Sequence, residues 1–417
     1  MIFRHYPWPM LASIYITQYI GVAFILSAAV AILRQQGVGL DKLALLNLAV
    51  LPLMGKIFYA PLIDKYRLGL QGEYRSWLIL SQAGMAISLA IAGFMNFEHQ
   101  FNEILIVLAV YVLLISIQDV SVDGLSCKLF DVNSRKLASS IQFSGNLLGN
   151  IIGGGLILMF YSSLGWQGSL WLLAGLTSIS FFQLLFFVEP EKAVETTQQE
   201  EMAHKKAHFS RDIKDFIKQQ KHWFIIMALY PIASTCGFAL LNPLLVDSGW
   251  SLDDIGFAMK IFGSLIGLCS ALFATPLIAR VGRSNALISV IFAQVFALLL
   301  VIPLTLGFTE KWMAYTAITA HFISFPALLV VSATIIMDKA AGSPHKATFF
   351  TLQFSFASLL GFAYSSISMA IAKHLGYSTV VIVGSILAFC IACFICVLLR
   401  KVEVSEFDTS NAIESAV

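Results

Sequence analysis

Charge is what this chain has least of. Lys, Arg, Asp and Glu together make up 12% of its 417 residues, about half the share usual in a soluble domain. So little polar surface excludes a large soluble module, and with it most soluble-enzyme chemistry. Catalytic signatures are missing too. No Gly-x-x-x-x-Gly-Lys-Ser/Thr segment is there to cradle a nucleotide, no His-Glu-x-x-His pair to hold zinc, and no Gly-x-Ser-x-Gly elbow to present a nucleophile. The chain reads as a non-enzyme without cofactor or metal. Its net charge of +2 is small, and its basic residues are scattered without interleaved aromatics; nucleic acid is excluded as a partner. The six cysteines, Cys127, Cys236, Cys269, Cys390, Cys393 and Cys396, fall in or at the ends of apolar runs, where thiols pack as small apolar groups. No disulfide framework is expected, and the last three cysteines have no second ligand type beside them for a metal.

Apolar residues are what the chain does have, 58% of the total. They fall into twelve stretches of about 20 residues, the length an α-helix needs to cross about 30 Å of hydrocarbon. The stretches lie near 10–33, 43–62, 76–96, 104–126, 138–162, 167–188, 222–246, 254–279, 284–307, 312–337, 347–372 and 378–399. The first is too long for a cleavable leader and reads as a spanning helix. An all-α membrane protein of twelve transmembrane helices follows. About 20 of the 26 Lys and Arg residues fall on the side that holds both termini, which the positive-inside rule makes cytoplasmic. The expected organisation is a six-helix bundle at 1–188, a cytoplasmic linker at 189–221, a second bundle at 222–402 and a cytoplasmic tail at 403–417. In the linker, Glu191 to Lys206 is charged. Ser210 to Trp223 reads either as solvated linker or as a surface helix capped by Ser210, with Ile213, Phe216 and Ile217 opposite Lys214 and Lys218.

The two halves repeat. Ala60-Pro61-Leu62-Ile63-Asp64-Lys65 answers Thr275-Pro276-Leu277-Ile278-Ala279-Arg280 about 215 residues on, and at the same offset Asp123 answers Asp338 and Tyr15 answers Tyr230. At slightly smaller offsets Ile141-Gln142-Phe143-Ser144 answers Leu352-Gln353-Phe354-Ser355, and Gly37-Val38-Gly39-Leu40-Asp41 answers Gly249-Trp250-Ser251-Leu252-Asp253. Two parallel six-helix pseudo-repeats joined by a linker are the layout of transporters whose halves rock about a central site. Lys56 to Tyr66, "KIFYAPLIDKY", and Gln118 to Lys128, "QDVSVDGLSCK", resemble the second- and fourth-helix motifs of the AmpG-like branch of the major facilitator superfamily. The first span, "LASIYITQYIGVAFILSAAVAILRQQG", is similar to that of the RhtX/FptX siderophore importers in that branch.

Intramembrane charge marks the candidate chemistry. Asp119 and Asp123 lie four apart on one face of the fourth span, where a carboxylate is costly unless paired, protonated or wetted. They are the proton-coupling candidates, Asp119 foremost; the alternative for Asp123 is a gate ion pair or cap near the cytoplasmic end. Lys56 in the second span is the counter-charge. Lys260 in the eighth either faces the substrate or snorkels to the surface. Tyr15, Gln18, Gln142, Asn146, Tyr230 and Gln353 are selected as substrate-binding from a larger set of intramembrane polar groups that includes Tyr19, Asn150, Asn242 and His321. Any one of these taken singly is also read as an interhelical hydrogen bond. Asp64, Lys65, Arg280 and Arg283 resemble a reduced form of the superfamily's cytoplasmic gating loop, asymmetric because Ala279 replaces the acid in the second copy. Gly145, Gly149 and Gly153 form a small-residue stripe for close helix contact. It is similar to the glycine motif of drug antiporters, except that Asn150 stands where their proline lies.

Together these features imply a monomeric, proton-coupled importer in a bacterial inner membrane, working by alternating access on a siderophore or ferric siderophore. The alternatives are an AmpG-type muropeptide permease and a small-molecule exporter of the same fold. Protons, the cargo and the lipid bilayer are the expected partners.

Overall fold

Residues 7–29, 32–33, 51–66, 68, 72–96, 99–190, 209–250, 252–343 and 345–414 are described in a computed structural model. All secondary structure among them is helical. Helix α1 (Trp8–Ala23) continues into a π-helical turn, Phe24–Ala29. Then come α2 (Lys56–Lys65), α3 (Arg75–Phe94), α4 (Phe101–Leu129) and α5 (Arg135–Asn150), the last passing through a second π-helical turn, Ile151–Leu156, into α6 (Ile157–Phe186). The remainder comprises α7 (Phe209–Gln219), α8 (Lys221–Leu229), α9 (Gly263–Val281), α10 (Arg283–Leu299), α11 (Lys311–Ala341) and α12 (Lys346–Glu414). A third π-helical turn, Phe257–Phe262, leads into α9.

Ten helices among the described residues are long and apolar enough to cross a membrane. One of them, Arg135–Phe186, runs 52 residues, about 78 Å if straight and more than twice the hydrocarbon thickness. It breaks at Gly165, where φ is 61° and ψ −170°, between the two spans expected at 138–162 and 167–188. Within α12 the same thing happens at Gly376, with φ 79° and ψ 162°. Only glycine adopts that combination without strain. The separation of Gly165 and Gly376 equals that of Gln142 and Gln353, so the repeat extends to these corners. The second expected span begins outside the described residues, and its described part is Leu51–Met54 and α2. Arg4, Arg34, Lys42, Arg67, the turn at 37–41 and the charged linker segment 191–206 also lie outside them.

The helix surfaces suit lipid. Phe58 is 83% exposed, and Phe94, Phe186 and Leu359 are nearly as open, a scale of apolar exposure that water would penalise and acyl chains do not. Cys390 and Cys393 are exposed on the same kind of surface, so the packing role expected of them does not hold there; Cys127 is the buried thiol.

By backbone proximity the chain forms two compact units. One comprises Met1–Pro190, Gly256–Ala279 and Leu329–Ser355, the other Glu191–Ile255, Arg280–Leu328 and Phe356–Val417. In the first unit Phe24, Ile25, Leu89, Leu108, Tyr111 and Leu170 pack one core, and α1 and α5 approach each other closely. The glycine stripe permits it: a Cβ at Gly145 would sit 2.8 Å from Tyr15 Cβ, and one at Gly149 would sit 2.9 Å from the Ile16 carbonyl oxygen. In the second unit α7 is already helical at Phe209, so Ser210 lies inside the first turn and not before it. Phe216 is buried against Phe224, with ring centroids 6.2 Å apart, while Ile217 is exposed. Ile213, expected on the same face, is half-buried. The segment expected as a tail from 403 is helical as far as Glu414.

Candidate functional site

From Gln118 to Cys127 every residue of α4 is buried, so this stretch is surrounded by protein on all sides and its polar groups must find partners within it. Asp119 receives Lys56 Nζ on Oδ2 at 2.7 Å and Gln18 Nε2 on Oδ1 at 2.6 Å. Asp123, one turn on, receives the Tyr15 hydroxyl and Gln142 Nε2, both on Oδ1 at 3.0 Å. The close α1–α5 contact at Gly145 is what lets Tyr15 and Gln142, from different helices, converge on one carboxylate. Lys56 also lies 4.7 Å from the ring centroid of Phe354.

The cluster is unequal. One ammonium lies beside two carboxylates about 6 Å apart along the helix face; Asp119 holds the ion pair, and Asp123 is met by two neutral donors, Tyr15 and Gln142. The amide oxygens of Gln18 and Gln142 are buried and unpaired among the described residues. Each leaves an acceptor open, at a cost of about 1–3 kcal/mol until water, a proton carrier or a ligand fills it.

The other selected residues are not all in this cluster. Asn146 is half-buried, its Oδ1 accepting from Asn150 at 2.8 Å. Gln353 is buried but donates to the Phe349 carbonyl of its own helix at 2.8 Å. Tyr230 is buried in the second unit, at the junction of α8 and the segment Pro231–Thr235. Lys260 is exposed on the π-helical turn before α9, outside the buried cluster, as either of its two expected roles allows. The side chain of Asn242 lies outside the described residues.

Of the four gating candidates, Asp64 is engaged. Its carboxylate accepts the Thr348 N–H at 2.8 Å, the Thr348 hydroxyl at 2.6 Å and the Ala347 N–H at 3.3 Å, capping the first turn of α12. The Tyr74 hydroxyl adds a fourth bond at 2.7 Å. Burial foremost, and then the Asp64 charge, push that phenol above its ordinary range, so it stays a donor. Lys65 is exposed, its ammonium 5.2 Å from the Tyr66 ring; Arg280 is exposed and Arg283 half-buried.

Sequence reasoning missed several partners. Arg135 Nη1 meets Asp338 Oδ1 at 2.9 Å. Thr275 Oγ1 donates to the Lys136 carbonyl at 3.1 Å and lies 2.6 Å from Ser140 Oγ. Phe143 stacks on Phe354 at 6.4 Å, so the repeat-related Gln-Phe-Ser motifs touch. Glu189, assigned to the linker, is buried in the first unit. Its Oε2 accepts the Tyr74 and Arg75 N–H groups at 3.0 and 2.9 Å, capping α3, while Oε1 takes Lys128 at 2.5 Å. The linker boundary therefore moves past Glu189, because a helix N-terminus and a lysine compensate the buried acid.

The family described as Major Facilitator Superfamily matches residues 11–364. The anhydromuropeptide permease of Escherichia coli strain K12 is 25% identical over 237 residues, 56% of this chain and 47% of the permease, so the match spans about half of that relative. Putative transporter AmpG 3 of Rickettsia typhi is 24% identical over 352 residues, 80% of this chain and 82% of the relative. Among solved structures the human organic anion transporter MFSD10 (TETRAN) superposes with a TM-score of 0.69 at 13% identity, covering 93% of this chain and 98% of that one. At that identity the likeness speaks for the fold alone.

Proposed function

The chain belongs to the Major Facilitator Superfamily, and from that premise we propose that it is a proton-coupled importer of anhydromuropeptides in a bacterial inner membrane. The observation that carries the coupling is the unequal cluster on α4, where one buried carboxylate, Asp119, holds the Lys56 ion pair and the other, Asp123, is met by neutral donors. With both acids ionised it carries a net negative charge. A proton on Asp123 removes that charge and leaves the Lys56–Asp119 pair intact. Asp119 was the acid favoured from sequence, but its ion pair makes Asp123 the better proton carrier. Each charge moved inward is worth about 2.3 kcal/mol per 100 mV.

Relatives named as anhydromuropeptide permease and AmpG transporter support a sugar–peptide cargo. A siderophore importer is the second reading, favoured by the likeness of the first span. Alternating access would require parting the contacts that Asp64, Arg135, Thr275 and Phe354 make at the helix ends expected to face the cytoplasm. Ala279 has no carboxylate to offer where Asp64 has one, which supports unequal gating by the two repeats.

The test is uptake of labelled anhydromuropeptide into proteoliposomes under an imposed pH gradient. Asp123→Asn is expected to abolish the gradient's stimulation while retaining counterflow exchange. Undiminished stimulation in that variant would overturn the coupling, and gradient-stimulated uptake of a labelled ferric siderophore with none of the muropeptide would transfer the cargo to the second reading.

A further inference from the structure

One buried polar group in the second unit is not used by the coupling or the gate. His321 of α11 is 5% exposed. Phe238 covers one ring contact in parallel, with centroids 3.2 Å apart and planes 6° apart; Phe325 stacks at 5.1 Å and 20°, and Phe322 meets the ring edge-on at 5.6 Å. Among the described residues nothing hydrogen-bonds the imidazole; the nearby Ser324 Oγ donates to the backbone carbonyls of Ala320 at 2.7 Å and of His321 at 3.3 Å.

The surroundings are irregular in a particular way. Phe238 opens a 3-10 turn, Phe238–Leu240, that interrupts the seventh span between Pro231–Thr235 and Leu241–Asp247. His321 lies ten residues from the start of α11 at Lys311 and Phe238 nine from Asp247 at the end of its span. Both are then about 15 Å from that end of the bundle, halfway through about 30 Å of hydrocarbon. A helix broken at mid-membrane is tolerated where it is buried in protein or lines a solute path. An imidazole there carries one donor and one acceptor on its ring edge, and a lipid core offers neither a partner.

We propose that His321 is a cargo-reading residue, its ring fixed by the flanking phenylalanines so that its edge hydrogen-bonds a neutral hydroxyl or amide of the transported molecule. Among the described residues no acid or base pairs with it, so it selects for hydrogen-bonding groups and not for charge. The sugar hydroxyls and peptide amides of a muropeptide have that chemistry. The inference rests on the proposed function, which it sharpens.

The experiment measures proteoliposome uptake of anhydromuropeptide by full-length His321→Phe, His321→Asn and His321→Gln, with Asp123→Asn alongside. Phenylalanine keeps the aromatic packing and removes both polar atoms; asparagine and glutamine restore an amide near Nδ1 or Nε2. His321→Phe is expected to raise KM about 10- to 100-fold with stimulation by the pH gradient retained, and one of the two amide variants to recover at least part of it. An unchanged KM in His321→Phe overturns the assignment, as does a raised KM that neither amide relieves. Loss of the coupling reading shows separately, as stimulation persisting in Asp123→Asn.

Discussion

Replacing Lys56 by methionine keeps most of the aliphatic stem and removes the one ammonium that reaches Asp119. The two charges meet at 2.7 Å with side-chain exposures of 10% and 6%, so neither is solvated when its partner goes. Breaking a buried pair from one side costs about 3–5 kcal/mol, whereas removing both partners is often near neutral. Lys56→Met is expected at the upper end, since it leaves two carboxylates one helical turn apart with no cation. Asp119→Asn is expected to cost less, because Asp123 remains as a counter-charge for the lysine. The double variant should recover most of the loss, for a coupling of about 3 kcal/mol, or more than a hundredfold in the folding equilibrium. Tryptophan fluorescence during unfolding in mixed detergent micelles reads the four proteins. A coupling below about 1 kcal/mol, the range of exposed pairs, would refute the buried-pair reasoning, as would Asp119→Asn proving the more damaging single change.

Two further outcomes follow from the geometry. Asp64→Ala removes the cap of α12 and should cost about 1 kcal/mol; a cysteine placed at Ser140 in a background without native thiols should then react severalfold faster with an impermeant maleimide from the side expected to be cytoplasmic, and an unchanged rate would remove Asp64 from the gate. Gly149→Ala puts a Cβ 2.6 Å from Tyr19 Cβ and should destabilise by about 1–3 kcal/mol, with weaker stimulation by the pH gradient as Tyr15 and Gln142 are pushed off Asp123; Gly175→Ala, which meets nothing within 4 Å, serves as the neutral control in the same thermal-stability assay.

The sequence was most informative where one local rule governs. Apolar runs of membrane length mark spanning helices because lipid leaves the backbone few other options. The Lys56–Asp119 pair was foreseeable because an intramembrane lysine needs an acid, and the glycine stripe because small residues every fourth position can only bring helices together. What stayed hidden depends on helix rotation and on approach between distant segments. Asp119 and Asp123 look alike in sequence, and only the placement of α2 gives one the lysine and that of α1 and α5 gives the other Tyr15 and Gln142. Glu189 reads as linker because an acid just past an apolar run usually meets water; its cap on α3 lies 115 residues back along the chain. Arg135 with Asp338 has no local signature, and neither do the π-helical turns. Lys260 has two readings in the sequence, facing the substrate or snorkelling to the surface, and its exposure agrees with either.

The single-residue corners at Gly165 and Gly376 limit how the helices they join can travel. Neighbouring Cα atoms sit 3.8 Å apart, so two antiparallel rods fused through one residue cannot pass each other like pistons by even one helical turn of about 5.4 Å. Each such pair is left with tilting and swinging as a single lever. Lengthening a corner by a flexible insert would therefore be expected to uncouple the two arms of the lever while leaving each rod intact.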